Sequence, residues 1–327
     1  MPKSAPPAKQ TPSPDAILHQ VLRGIERNRQ PGYHFPGNFL GLSFDEIEAD
    51  HACVSMRDGA HCTGPDGQVE TSALAILADM ALASAVRGAL QHGMRLATVS
   101  MQLQFTGAPR VGRLAARADF NGYFRNGAAQ QGLSRLTLRS AQDDICIGTG
   151  AFMVLEPPPG FKLPAMLAIK ESASTTPLLT QAELTAAELR IYKQAQAALA
   201  ASQADGGAFL DRFWHFRTRK NRDGASATLK NGAHAGNRVG HVQGGILLGL
   251  AEAAARAALP AHWVLSAITA CYLSPGEGSS LSARAKIVHQ GKRTAVVHGV
   301  ISGAGRRRVL ETVATYAAPA GAAQRKA

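Results

Sequence analysis

The sequence predicts an α+β protein built from two similar units, each a long apolar helix packed on an antiparallel sheet. Three observations lead there: an internal repeat, an apolar helix in each half, and strand-like alternation after each helix. The chain has 327 residues, enough for two domains of ordinary size. Phe105–Thr106–Gly107, followed by Leu114–Ala115–Ala116–Arg117–Ala118, returns 167 residues later as Tyr272–Leu273–Ser274 and Leu281–Ser282–Ala283–Arg284–Ala285. Leu77–Ala78–Asp79 returns as Leu250–Ala251–Glu252 at an offset of 173. The change of offset predicts an insertion in the turn between the helix and the next strand.

The elements follow in order. Residues 1–33 are Pro-rich and polar at their start and read as a tail without the apolar core of a signal peptide. The first unit, 34–155, opens with strand-like segments at 39–47 and 53–56, then a helix over 71–90 and about four strands separated by Gly, Asn or Asp turns. Within it Leu136 and Leu138 alternate with Arg135, Thr137 and Arg139, as in a sheet with one covered face. A linker, 156–207, starts at Pro157–Pro158–Pro159–Gly160 and carries a helix from about 180 to 202, with Thr180 as N-cap and Glu183 as capping-box partner. The second unit, 208–318, repeats the plan with strands at 209–217 and 225–229 and a helix over 244–259; residues 319–327 form a tail. That second helix is apolar nearly all round and is expected to be enclosed by protein.

Composition narrows the function. A net charge of +12 points to an anionic partner. No nucleic-acid module accompanies it and aromatics are 6% of the chain, so nucleic-acid binding is not expected. Four scattered cysteines without a C-x-x-C pair suit a reducing compartment, and a cytoplasmic location is expected. The longest apolar stretch, 246–259, contains Glu252 and Arg256 and is too short to span a bilayer. No second histidine stands at ligand spacing, so no metal site is expected; nucleophile-elbow and dinucleotide motifs are also missing.

The chemistry concentrates in Asn237–Arg238–Val239–Gly240–His241–Val242–Gln243–Gly244–Gly245, followed by Glu252. Two glycines at a helix start let a carbonyl approach backbone N–H donors at the positive end of the helix dipole, which suits an oxyanion hole. The segment resembles the signature of hotdog-fold acyl-CoA thioesterases of the phenylacetate-pathway type: Asn, Gly three on, Gln three further, two glycines, and an acid eight after the first glycine. The resemblance is specific in the second half and positional in the first. It implies two hotdog domains fused as a pseudo-dimer, each a central helix wrapped by a sheet.

Aligned on the helix, the first half lacks the Asn and the glycine pair and reads Gly64, Gly67, Glu70, Thr71, then Asp79 at the acid position. Thr98 stands where the family often carries a Ser or Thr. The resemblance implies one composite site joining Asn237, Gln243, Gly244 and Gly245 to Asp79 and Thr98, and a weak second one joining Glu252 to the Glu70–Thr71 loop. Asp79 would serve as base or nucleophile, both routes remaining open. His241 is a loop histidine beside the site. Lys292 and Arg293, with Arg125 as a looser counterpart, are the candidates for the CoA phosphates. The substrate is then an acyl-CoA, with CoA part of the substrate and no separate cofactor, and a homo-oligomer, a dimer of tandem chains, is expected. The rival readings are a non-catalytic acyl-CoA-binding or sensing protein, an acyl-thioester hydratase or dehydratase using His241, and a basic nucleic-acid-associated protein.

Overall fold

The computed structural model describes residues 14–30, 34–90, 93–127, 129–141, 143–157 and 177–318. The first unit runs α1 (Pro14–Asn28), α2 (Phe35–Phe39), β1 (Ser43–Ile47), β2 (His51–Arg57), α3 (Thr71–Gly88), β3 (Arg95–Phe105), β4 (Arg113–Asn126), β5 (Ala129–Ser140) and β6 (Asp143–Leu155). The second runs α4 (Ala186–Asp205), α5 (Phe209–Phe213), β7 (Arg217–Asn221), β8 (Gly224–Lys230), α6 (Gly244–Ala258), β9 (Val264–Tyr272), β10 (Ser280–Gln290), β11 (Thr294–Ser302) and β12 (Arg308–Ala317). The twelve strands form one sheet in the order β1-β2-β4-β5-β6-β3-β9-β12-β11-β10-β8-β7. The order is a palindrome about the β3–β9 pair, with every described pairing antiparallel. Each half therefore wraps its own central helix, and α3 and α6 pack on one another inside the curved sheet.

Both helices are enclosed, as their composition demands. In α3 every residue from Thr71 to Leu82 is buried. It is apolar enough in composition to cross a bilayer, yet 78% of that window is buried inside the protein. The helices approach so closely that a Cβ on Gly245 would strike the backbone of Ala75 and Ile76, and one on Gly249 would strike Ser72.

Several sequence expectations change. Residues 14–28, expected within a tail, form a helix that buries Ile17, Val21, Leu22 and Ile25 in the core. The segments at 39–47 and 209–217 are strand only at their ends. Each begins as a short helix, α2 or α5, whose Phe35, Phe39, Phe209 and Phe213 form one aromatic cluster with Trp214. Bulky aromatics satisfy a strand pattern and a packed helical turn equally well. Thr180 and Glu183 do form a capping box, but on a single 3₁₀ turn. The helix proper starts one box later, with Thr185 and Glu188, and ends at Gly206 in the left-handed region. The Pro158–Gly160 run and residues 319–327 lie outside the described residues.

The six-residue change of repeat offset is not one insertion. Three residues lengthen α3 (18 residues against 15), one lengthens the turn, and two lengthen β3 (11 against 9). β3 pairs with β9 only from Ser100 to Gln104, so its extra N-terminal stretch, residues 95–99, stands clear of the partner strand. It carries a bulge against β6 between Thr98 and Ser100. That divergence opens the cleft described below.

The glycine contact yields the first expected outcome. Gly245→Ala forces apart two helix backbones and should cost about 1–3 kcal/mol in urea unfolding. An unchanged midpoint would show that the helices can separate freely.

Candidate active site

A cavity of about 620 Å³ opens where β3 leaves β9. It is lined from both halves: Asp79 and Thr98 from the first, Asn237, His241, Gln243 and Gly244 from the second. Five of the residues expected to meet with Asp79 therefore do share its cavity.

Gln243 is the N-cap of α6. Its Oε1 accepts from the Ile246 N–H at 3.1 Å, which leaves Nε2 to donate to Asp79 Oδ2 at 2.7 Å. Capping thus fixes the direction of the amide, and the amide fixes the carboxylate of the other half. Thr98 Oγ1 donates to the second oxygen, Oδ1, at 3.0 Å. Asp79 is 7% exposed, and burial pushes its pKa up to about 6 while the Thr98 hydrogen bond pulls it back. Asp79 Oδ2 lies 3.0 Å from where a Cβ on Gly244 would stand, so a glycine lets the carboxyl reach the helix start. Tyr272 Oη donates to the Gly244 carbonyl at 3.0 Å and pins that turn from β9.

Asn237 shapes the loop. Its Oδ1 accepts from the amides of Val239 and His241, both at 3.0 Å. His241 Nε2 lies 3.1 Å from Glu277 Oε1. Gly245 does not line the cavity, and its lack of a side chain serves the contact with α3.

Glu252 is 4% exposed and stands apart from the cavity. It meets Arg256 Nε at 3.5 Å, and Arg256 Nη2 holds Asp211 at 3.0 Å. Glu70 joins the cluster electrostatically; burial, then Asp211, raise its pKa to about 7, and Arg256 opposes them. Where the resemblance implied a second site, the partly exposed Arg256 guanidinium faces the carboxyl groups of Glu252, Asp211 and Glu70.

The expected phosphate ligands are elsewhere. Lys292 and Arg293 stand exposed in the β10–β11 turn, and Arg125 lies over the Tyr123 ring at 5.4 Å beside the β4–β5 turn. None lines the cavity. Its cations are Arg87, Arg95 and Arg238, which sequence reasoning missed. Arg87 was findable, because it lies eight residues after Asp79 and so shares its helical face. Arg87 Nη1 donates to the Met94 carbonyl at 3.2 Å, and Arg95 Nε is buried without a hydrogen-bond partner. His34 also lines the cavity; burial, then Arg238, lower its pKa to about 4 and keep it neutral.

Comparison with known proteins gives the same architecture. Residues 234–317 match the family model described as the acyl-CoA thioesterase N-terminal domain. The chain has a double hotdog fold, and its second half is similar to this thioesterase domain. A conserved hot dog-fold protein of Alicyclobacillus acidocaldarius is 11% identical, with a TM-score of 0.51 over 88% of this chain and 98% of that one. A candidate oleoyl thioesterase of Lactobacillus plantarum is also 11% identical, with a TM-score of 0.50 over 85% and 98%. The BH2602 protein of Bacillus halodurans, solved with CoA, is 24% identical, with a TM-score of 0.40 over 43% of this chain and 98% of that one. Comparison with curated proteins returned no match.

Two outcomes follow from these environments. Asp79 has a folded pKa raised to about 6, so its contribution to stability is largest at acid pH and is lost as pH rises through that value. At pH 8 the buried ionised carboxyl costs roughly 3 kcal/mol, and Asp79→Asn should recover up to that amount in urea unfolding while leaving stability at pH 4 nearly unchanged. Arg256→Met, which leaves the buried Glu252 carboxyl without its cation, should instead lower stability at pH 8 by about 1–3 kcal/mol. Equal curves for this variant and the parent chain would remove the cluster from the account.

Proposed function

We propose that the chain hydrolyses the thioester of an acyl-CoA at the composite cavity, with Asp79 as general base. The observation that carries this reading is the carboxyl of Asp79, fixed through one oxygen by Thr98 and through the other by Gln243 at the start of α6. A base with a pKa near 6 is ionised at neutral pH yet still basic enough to take a proton from water. The thioester carbonyl would lie at the first turn of α6, where the Gly244 amide has no partner within the helix and the dipole favours developing negative charge.

Asp79 accepts a proton from a water molecule as the water oxygen attacks the carbonyl carbon. The carbonyl electrons move to the oxyanion at Gly244. Collapse of the tetrahedral intermediate breaks the carbon–sulfur bond, and the CoA thiolate leaves, taking up the proton. Asp79 suits this role because burial keeps it basic, while the hydrogen bonds to both its oxygens hold the carboxyl in place. Arg87, Arg95 and Arg238 give the cavity a positive lining that suits a phosphate-bearing carrier. Both halves of the site come from one chain, so a second copy is not required for chemistry. His241, which a hydratase would need as its acid or base, is engaged by Glu277.

The test is thiol release from a panel running from acetyl- to palmitoyl-CoA, with phenylacetyl- and benzoyl-CoA. Asp79→Asn should lower turnover by about 10²–10⁴-fold, and Glu252→Gln should leave it within a few-fold. For the parent chain, the rate should climb tenfold per pH unit below about pH 6 and level off above it, as Asp79 loses its proton. A loss confined to Glu252→Gln would move the site to the other half. Absence of release from every substrate, with CoA still bound, would replace catalysis by binding.

A further inference from the structure

The two halves present equivalent outer sheet faces with opposite charge logic. In the first, Glu46, Cys53 and Arg117 form one cross-strand row through β1, β2 and β4. The corresponding row through β7, β8 and β10 is Arg219, Ser226 and Arg284. Arg117 and Arg284 are repeat partners, as are Asp119 and Lys286, two residues further on. Two acids of the first half, Glu46 and Asp119, are thus replaced by Arg219 and Lys286.

The consequence for pairing is direct. On the first half, Asp119 takes both Arg117 (3.1 Å) and Arg135 (3.2 Å), Arg113 meets Asp45 (2.9 Å), and Arg139 meets Asp144 (2.5 Å). On the second, Arg219, Arg284 and Lys286 are exposed, and among the described residues none makes an ion pair. Glu311, which shares the row of Arg284 by way of Val300, is held by Arg308 at 2.6 Å. Like charges gathered on one sheet face oppose folding unless something outside the chain neutralises them.

The same face carries exposed apolar groups. At its edge, Val288, in the bulge where β10 shifts register beyond Lys286, is 65% exposed. Val313, in the row of His298 and Lys286, is 48% exposed. β7, β8, β10 and β11 contain no Phe, Tyr or Trp, so the face offers no stacking platform for bases. A sheet face mixing unpaired cations with exposed aliphatic side chains matches an anionic bilayer interface, where each cation near the surface adds attraction and aliphatic groups enter the headgroup layer. We propose that this outer face of the second half docks the protein on an anionic lipid surface.

The test is cosedimentation of the full chain with vesicles of phosphatidylcholine alone and of phosphatidylcholine mixed with phosphatidylglycerol. Binding should require phosphatidylglycerol and weaken as salt rises. Arg284→Ala and Lys286→Ala should each weaken it about five-fold, whereas Arg135→Ala on the opposite half should not. Thermal unfolding of each variant confirms that it is folded, and thiol release should be unchanged, because none of these residues lines the cavity. Equal binding to both vesicle types, or equal binding by all variants, would overturn the proposal. So would binding of duplex DNA through Arg284 and Lys286 with no affinity for vesicles.

Discussion

The close approach of α3 and α6 governs what the rest of the molecule can do. At Gly245 and Gly249 the helix backbones come within reach of one another, and at Gly244 the same approach brings the Asp79 carboxyl to the first turn of α6. One contact therefore joins the halves mechanically and completes the candidate site. Helices held further apart would leave Gln243 capping its own helix with no carboxyl to grip. The sheet follows the same constraint: β3 and β9 pair only in their middle, and β3 then runs on alone past Thr98.

The repeat has been pulled in two directions. Near α6's start, a buried acid faces a cavity and is left without a counter-ion, supported by two neutral donors. At the pseudo-equivalent place, Glu252 has been given Arg256, and Arg256 has been given Asp211. The first arrangement keeps a carboxyl basic and reachable; the second neutralises it and fills the space. Identical ancestry in sequence thus ends in a candidate reaction centre on one side and a structural ion cluster on the other.

How much of this was legible in the sequence depended on the range of the interaction. The repeat, the two enclosed helices and the alternation in β5 are local patterns, and they appear where the residues placed them. The composite grouping of Asp79 and Thr98 with Gln243 and Gly244 was legible only through the family resemblance, because spacing fixes the neighbours at one helix start and not those in the other half. Capping detail was nearly so: Thr180 and Thr185 both head a Thr-x-x-Glu box, and only packing selects which one begins the helix. Phe35–Phe39 and Phe209–Phe213 misled because their aromatic pattern fits two conformations, and the choice is made by a cluster drawn from both halves. The phosphate candidates lie away from the cavity for a similar reason. A basic hairpin turn is visible in sequence, but the lining of a cavity between halves is not, so Arg87, Arg95 and Arg238 emerged only in three dimensions.

The connection between the halves has a consequence for dilution. α4 sits between them, and Arg29, just after α1, holds Glu188 of α4 through Nε and Nη2, each at 2.8 Å. For a site shared between separate chains, the site exists only while the subunits remain associated, and its abundance falls with the square of protein concentration well below the dissociation constant. Here the partner half is supplied at an effective concentration set by the tether alone. The candidate site consequently persists at any expression level, because its two halves cannot diffuse apart.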